Sequence, residues 1–313
     1  PATLPSWAMP EMRRYNHPVE LAGGSVAAGG SRGMLIPPSV VFIVYALIAE
    51  QSSGALFLAG IVPGLLIAGL FCLSIYVRCS RDPSLGPPGP KASWGERFSS
   101  LAGVIETLLL FALVMGGMFF GLFTPIEAAA IGAGGSLVIA LLKRKLSWPV
   151  LKKIVQETVR TSCMVLFIVT GAVIFGRFLA VSRIPFAIAS WFTELPLPGF
   201  ATMSLIILFF LFAGCFIDAL ALVLLTIPIF FPVVIRLGYD PVWFGVMVVV
   251  MTQMGVITPP VGVNVYVVSG IERDIPLQAI FRGALPFLYM LILAAALLVA
   301  FPQICLLLPY TGM

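Results

Sequence analysis

Gly255-Val256-Ile257-Thr258-Pro259-Pro260-Val261-Gly262-Val263-Asn264 is a polar, helix-breaking run with apolar sequence on both sides. Its adjacent prolines remove two backbone donors and disfavour helix immediately before them, so carbonyl groups in the run lose their intrahelical partners. In a bilayer, such backbone survives only where it is buried in protein or lines a cavity. The stretch predicts an interrupted membrane helix beside a site for an ion or small solute.

A second stretch of this kind occurs earlier, as Gly33-Met34-Leu35-Ile36-Pro37-Pro38-Ser39. The correspondence continues at one constant offset and pairs Pro10 with Pro232, Arg14 with Arg236, Gly23 with Gly245, Gly33 with Gly255, Glu50 with Glu272 and, after one added residue, Gly60 with Gly283 and Pro63 with Pro286. One Pro-Pro pair alone would merely end a helix, but the shared register indicates an internal repeat. Interrupted apolar segments at corresponding positions of two halves indicate a transporter's binding site.

The composition is that of a polytopic membrane protein. Of the 313 residues, 60% are hydrophobic and only 10% are charged, and the mean hydropathy is +1.10. A water-soluble fold of this length could not bury so much apolar surface. The net charge is +5, and the basic residues form short clusters between apolar spans, which fits topology signals and not a nucleic-acid surface. The five cysteines have no paired spacing and His17 is isolated, so neither a disulfide nor a metal cluster is expected.

The repeat divides the chain into three parts. Residues 1–78 hold the remainder of the first repeat, residues 79–100 form a Pro/Gly-rich loop, and residues 101–313 hold the second repeat. The loop is basic, which places it in the cytoplasm. Several spans precede the second break, whereas little of the chain precedes Pro10, so we expect an N-terminally incomplete chain that lacks several spans.

Residues 1–32 are predicted to be a loop followed by a helix rich in small residues. Further apolar helices are predicted at 40–50, 54–77, twice within 101–142, and at 162–179, 200–216, 220–234 and 277–301. The second Pro-Pro break lies in a hairpin at 245–270. Residues 146–160 have the pattern of a helix lying in the membrane interface, and an ordinary solvated helix is an equally good interpretation.

The two repeats are expected to be inverted. The span after the first break ends at basic Arg78, whereas the matching span ends at Phe301 and continues as 302–313 without Lys or Arg. Opposite Lys/Arg bias after equivalent helices is typical of an inverted-topology repeat. The predicted fold is therefore an all-α polytopic membrane protein with inverted repeats and two broken helical hairpins.

Two acidic residues stand in apolar surroundings. Asp218 follows Gly214 in a long apolar stretch, where an unpaired carboxylate would cost about 3 kcal/mol to insert. It is either an ion ligand or the cap of a half-helix that begins after it. Thr124, Pro125 and Glu127 have the spacing of a helix start with a capping box, so for Glu127 we favour that structural role over ion binding.

Ser39, Thr258 and Asn264 provide the side-chain oxygens beside the two breaks. Together with free carbonyls near Gly33 and Gly255 they could hold a hard cation such as sodium, while a half-helix N-terminus could bind an anionic group. Local capping of the breaks is the alternative, and the two roles are compatible.

Five motifs carry a resemblance to a known family. They are Gly33 to Ser39, the Gly-Leu-Phe-Thr-Pro-Ile-Glu-Ala-Ala run from Gly121 to Ala129, Gly214 to Asp218 with Pro228 and Pro232, Gly238 to Pro241, and Gly255 to Asn264. In this order they resemble the large membrane subunit of tripartite ATP-independent periplasmic (TRAP) transporters, the DctM-like family. The resemblance covers essentially the whole chain.

The resemblance implies a sodium-driven importer of small organic acids, of the C4-dicarboxylate or sugar-acid type, in the bacterial inner membrane. It implies an elevator-like movement of a transport domain against a scaffold, with sodium as the coupling ion and no other cofactor. Its implied partners are a small membrane subunit and a periplasmic binding protein that delivers the substrate. The implied ion and substrate positions are Gly33, Pro37, Pro38, Ser39, Asp218, Gly255, Thr258, Pro259, Pro260, Gly262 and Asn264, with sodium near Asp218, Thr258 and Asn264.

The chain departs from the family pattern at two places. A serine- and glycine-rich hairpin tip that the family carries just before the position of Pro1 is missing, so part of the first site is absent. Arg32 stands where the family has a small or apolar residue. Its cation could repel sodium, pair with a substrate carboxylate or extend away from the site.

Other functions remain to be weighed. An intramembrane aspartyl protease would need a second carboxylate beside Asp218, but Asp82, Asp240 and Asp274 all fall in predicted loops. A stand-alone proton- or sodium-coupled carboxylate carrier of the same repeat class would need no binding protein, and its proton-coupled form requires Asp218 to titrate. An inactive fragment is a third alternative.

Overall fold

The computed structural model describes residues 3–87, 93–194, 198–272 and 274–311. Within these ranges the chain forms helices joined by turns and short connections, and no strand. The predicted all-α fold class is therefore confirmed.

The α-helices of the described ranges are numbered here in chain order. They are α1 (Thr3–Arg14), α2 (Val19–Ser31), α3 (Val40–Ala49), α4 (Ser53–Arg81), α5 (Trp94–Ala102), α6 (Ile105–Phe119), α7 (Pro125–Leu142), α8 (Trp148–Ser182), α9 (Ile184–Glu194), α10 (Gly199–Gly214), α11 (Ala219–Arg236), α12 (Pro241–Gly255), α13 (Val263–Ile271), α14 (Leu277–Ala300) and α15 (Gln303–Thr311). Among them α4, α7, α8, α11 and α14 are long and apolar enough to cross a membrane, and the bent pair α5–α6 adds a sixth candidate span. The chain is a multi-pass membrane protein.

The chain divides into two compact units, one of residues 1–88 and 174–313 and the other of residues 89–173. In the second unit α6 packs on α7, and Glu106 forms an ion pair with Lys143. Large apolar side chains of this unit such as Leu109, Leu142 and Phe167 are exposed, so these faces suit lipid or another membrane subunit.

Helix α7 begins with the predicted capping box. The Thr124 hydroxyl accepts a 3.3 Å hydrogen bond from the backbone N–H of Glu127, and the Glu127 carboxylate accepts one of 2.8 Å from the backbone N–H of Thr124. Pro125 occupies the first helical turn, as expected. The structural role predicted for Glu127 is confirmed.

The first unit is held together by a reciprocal exchange between the two repeats. Helix α2, which precedes the first break, packs against α13 and α14 of the second repeat, and α12, which precedes the second break, packs against α3 and α4 of the first. Such a reciprocal pattern is characteristic of two copies related by an approximate two-fold rotation.

Glycines permit the closest of these contacts. A Cβ atom on Gly283 of α14 would lie 1.8 Å from the carbonyl oxygen of Glu20 on α2, and one on Gly24 would lie 2.0 Å from the carbonyl carbon of Gly283. Gly60, the counterpart of Gly283 in the first repeat, is similarly constrained, because its Cβ would lie 2.6 Å from the carbonyl oxygen of Leu35. Small residues therefore let the helix backbones touch, as in many membrane bundles.

Three predicted boundaries need correction. The chain is helical from Thr3 and not a loop, since α1 corresponds to part of α11 in the second repeat and both tolerate an internal proline. The 79–100 segment is only partly loop: α4 continues to Arg81, and a capping box between Ser93 and Glu96 starts α5. Residues 88–92, which hold the end of the Gly-Pro-Pro-Gly-Pro run, lie outside the described residues.

The predicted separation of a helix at 146–160 from a span at 162–179 is also wrong. Both belong to α8, which runs unbroken from Trp148 to Ser182. Residues 160–162 contain neither proline nor glycine, so nothing local ends the helix there. The placement of residues 146–160 in the membrane interface stays a prediction.

We expect Gly283→Ala to lower the thermal unfolding midpoint of the detergent-purified protein. The added methyl group would collide with the α2 backbone, and relieving such overpacking costs on the order of 1–3 kcal/mol. Gly69→Ala is the matched control, because Gly69 lies within α4 with nothing within 4 Å of its Cβ position. That variant should match or exceed the wild-type midpoint. Equal midpoints for both variants would contradict the close helix contact.

Candidate functional site

The second break separates α12 from α13. Helix α12 ends at Gly255 and α13 begins at Val263, with the two prolines exposed between them. Gly262 adopts a left-handed conformation with φ of +55°, which few residues other than glycine adopt readily. A Cβ atom there would also lie 2.7 Å from the Phe281 ring. Gly262 is therefore required to start α13.

Polar side chains replace part of the backbone pairing lost at the second break. The Thr258 hydroxyl donates a 2.7 Å hydrogen bond to the carbonyl oxygen of Met254, and the Asn264 N–H donates one of 3.0 Å to the carbonyl oxygen of Val256. In this conformation Thr258 caps the end of α12, which is the structural role that the sequence left open for it.

The first break repeats this arrangement with different residues. After α2 a 3-10 turn covers Arg32–Met34, and α3 begins at Val40. Ser39 is fully buried; its hydroxyl accepts a 3.3 Å hydrogen bond from the N–H of Phe42 and donates one to the carbonyl of Met34. Gly33 and Pro38 are exposed beside it, and Pro37 is buried.

The breaks leave some backbone acceptors open. The carbonyl oxygens of Leu35 and Ile257, at equivalent positions of the two repeats, accept no hydrogen bond from any described residue. Unpaired carbonyl dipoles at interrupted membrane helices are the groups that coordinate sodium in secondary transporters.

Two hydrogen bonds link the segments on either side of the breaks. The Asn264 side-chain amide donates to the carbonyl oxygen of Ala27 at 3.2 Å, and the Gln253 amide donates to the Ser31 hydroxyl at 3.1 Å. Asn264, Gln253 and Ser31 are all buried. The predicted neighbourhoods of the two breaks therefore lie against each other.

Ser31 and Gln253 were not among the candidates from the sequence. They are separated by 222 positions, the offset that pairs Gly33 with Gly255, so they are equivalent residues of the two repeats in direct contact. Two equivalent residues can touch only close to the two-fold axis that relates the copies. The offset and the presence of Gln in apolar α12 were the available signals.

The Gln253 carbonyl oxygen is buried and has no hydrogen-bond partner among the described residues. A buried polar atom left unpaired costs about 1–3 kcal/mol. The Ser31 hydroxyl cannot satisfy it, because that hydroxyl donates to the Ala28 carbonyl at 2.8 Å. A donor such as water, or a cation, would remove the penalty.

Asp218 is exposed, whereas the sequence predicted a buried carboxylate. It lies in the turn between α10 and α11, and its carboxylate accepts a 3.0 Å hydrogen bond from the N–H of Leu220 at the start of α11. The capping role is thus observed. The turn lies beside the second break, since a Cβ on Gly255 would lie 2.3 Å from the carbonyl carbon of Gly214.

Hydroxyl, amide and carbonyl oxygens thus surround the two breaks, with the Asp218 carboxylate in the turn beside the second one. The described residues contain no group of three or more His, Cys, Asp or Glu side chains that could bind a transition metal. This donor set suits a hard monovalent cation and hydrogen bonding to a solute.

Buried interrupted helices on an internal two-fold repeat define a membrane transport protein of the permease type. Residues 1–304 match the family model described as "Tripartite ATP-independent periplasmic transporter, DctM component". The chain belongs to this family, whose members are transporter permeases and not enzymes. The resemblance seen in the sequence is confirmed.

Characterised relatives support the assignment. The chain is 37% identical to the C4-dicarboxylate TRAP transporter large permease protein DctM of Pseudomonas aeruginosa, a match covering 98% of this chain and 72% of the relative. It is 39% identical to the sialic acid TRAP transporter large permease protein SiaM of Vibrio cholerae, covering 95% and 69%. It is 30% identical to the 2,3-diketo-L-gulonate TRAP transporter large permease protein YiaN of Escherichia coli, covering 98% and 72%.

We expect Ser31→Ala and Gln253→Ala to be coupled in a double-mutant cycle on unfolding free energy. An interhelical hydrogen bond in a membrane protein contributes about 0.6 kcal/mol on average, so the two changes together should cost less than the sum of each by about that amount.

Ser25→Ala with Gln253→Ala is the matched control. Ser25 lies on the same helix, but its hydroxyl donates to Ala22 of its own helix at 3.0 Å. This pair should be additive. Additivity of the Ser31 pair would contradict a contact across the repeat axis.

Proposed function

We propose that this chain is the permease subunit of a sodium-coupled secondary importer of small organic acids. The observation that carries the proposal is the meeting of the two helix breaks, linked by the Gln253–Ser31 and Asn264–Ala27 hydrogen bonds. Transporters with internal repeats bind substrate and coupling ions between such interrupted helices. The names of the relatives support an acid of the C4-dicarboxylate or sugar-acid type.

Sodium is proposed to bind near Asp218, Thr258 and Asn264. Asp218 supplies the negative charge, and its turn is held beside the second break by the contact between Gly214 and Gly255. Carbonyl oxygens freed at the break, such as that of Ile257, complete an oxygen-rich site. A cation there would neutralise the Asp218 carboxylate in a membrane setting, where an unpaired charge is costly.

The remaining parts of the proposal follow from family membership. The substrate reaches the permease from a periplasmic binding protein, and a small membrane subunit accompanies this chain in the bacterial inner membrane. Alternating access is proposed to occur by an elevator-like movement that carries the two breaks together. The hydrogen bonds between the repeats favour joint movement, because separating the breaks would leave buried polar groups unpaired.

The test is uptake into proteoliposomes that contain this permease, its small membrane subunit and its binding protein. Radiolabelled succinate and gluconate are supplied with and without an inward sodium gradient. Uptake that requires both sodium and the binding protein is the expected result. Uptake with sodium but without the binding protein would favour a stand-alone carrier, and uptake driven only by a pH gradient would overturn sodium coupling.

We expect Asp218→Asn to raise the sodium concentration needed for half-maximal uptake at least tenfold. Asparagine is as good a helix cap as aspartate, so this variant removes the charge and retains the start of α11. Asp218→Ala is the companion variant, which should in addition lose about 1 kcal/mol of stability. Wild-type sodium dependence in Asp218→Asn would exclude the carboxylate as an ion ligand.

We expect the double variant Pro259→Ala, Pro260→Ala to lose uptake while still inserting in the membrane. Without the prolines helix can continue from α12 towards α13 and close the break. Pro125→Ala is the control, because Pro125 occupies the first turn of α7, where its missing N–H is not needed. Uptake equal to wild type in the double variant would show that the break is not part of the site.

A further inference from the structure

A cavity of about 220 Å³ opens between α1, α2, α4 and α14 of the first unit. Its walls are mostly apolar and include Leu4, Ala8, Phe71 and Phe287. Polar groups enter it from one helix, with the Ser25 hydroxyl on α2 and the Arg32 guanidinium at the end of α2.

Arg32 is a half-buried cation whose only described interaction of charge is with an aromatic ring. Its guanidinium carbon lies 5.5 Å from the centre of the Phe71 ring. No carboxylate among the described residues lies within ion-pair distance of it, although Arg13 and Arg14 on the neighbouring helix each have an acidic partner. A cation–π contact offsets part of the desolvation of a cation but does not neutralise it.

Arg32 also occupies a position next to the site. It is the first residue of the turn that opens the first break, and it directly follows Ser31, which bonds Gln253 across the repeat axis. A ligand held by Arg32 would therefore contact the same segment whose backbone changes direction at the break. This placement favours a solute of the transport cycle over an unrelated occupant.

We propose that Arg32 and this cavity form a carboxylate subsite that selects acids with one carboxylate next to apolar carbons. The planar guanidinium can donate two parallel hydrogen bonds to a carboxylate. Leu4, Phe71 and Phe287 present only apolar surface to the adjoining carbons. The cavity is smaller than the roughly 300–1,000 Å³ of pockets for drug-sized ligands, so it holds one end of a small acid.

The subsite deepens the proposed transport function and rests on it for the fate of the acid, but its binding can be measured directly. The purified permease in nanodiscs of phosphatidylcholine is titrated with radiolabelled pentanoate, and unlabelled pentanamide and gluconate serve as competitors. Pentanamide lacks the charge, and gluconate carries hydroxyl groups that the apolar walls cannot pair. Neither should displace pentanoate at concentrations where unlabelled pentanoate does.

Three variants separate charge from space. Arg32→Gln removes the cation and should weaken pentanoate binding at least tenfold. Arg14→Gln is the matched control, since it removes the same charge from an exposed position and should leave binding unchanged. Ala8→Leu keeps Arg32 but fills the cavity, and it should also weaken binding at least tenfold.

Equal affinity in Arg32→Gln and wild type would overturn the subsite. So would loss of wild-type pentanoate binding in nanodiscs of phosphatidylglycerol, because an anionic lipid would then occupy the guanidinium. The two proposals fail separately. Absence of sodium-driven uptake with pentanoate binding intact would overturn the transport proposal alone, whereas uptake with Arg32-independent binding would overturn the subsite alone.

Discussion

Backbone pairing in a medium without water is the constraint on which this structure depends. Each Pro-Pro break frees carbonyl groups that hydrocarbon cannot satisfy, so the breaks must be enclosed by protein. The two repeats meet this need for each other, since α2 and α12 each pack against helices of the opposite copy. Gly24 and Gly283 bring the helix backbones into contact and leave little space for lipid between them.

The same enclosure creates the polar surroundings of a transport site. Ser39, Thr258 and Asn264 lie at the breaks and bond to nearby backbone groups. Their capping roles hold the breaks in place, and the open carbonyls of Leu35 and Ile257 remain for other partners. Structural capping and ligand binding are thus divided between side chains and backbone at each break.

Much of the fold could be predicted from the sequence because proline, glycine and long apolar runs act locally. The capping box at Glu127 and both breaks are examples. Errors arose where the decisive signal was weak or distant. Helix α1 tolerates an internal proline, and α8 continues through a change from amphipathic to apolar sequence. Asp218 was read as buried because apolar neighbours surround it in the chain, but a turn between α10 and α11 exposes it. The Ser31–Gln253 contact depends on three-dimensional packing, so spacing alone could not reveal it.

The contact between Ser31 and Gln253 also bears on how the two halves of the chain can diverge. In an assembly of two identical copies, this position would face itself, and any substitution would change both sides of the contact at once. A serine opposite a serine is too short to span the gap, and two glutamines would need twice the space. Joining the copies in one chain allows each side to be chosen separately. The unequal pair at the axis is therefore available to a duplicated gene and not to a symmetric dimer of its single-copy ancestor.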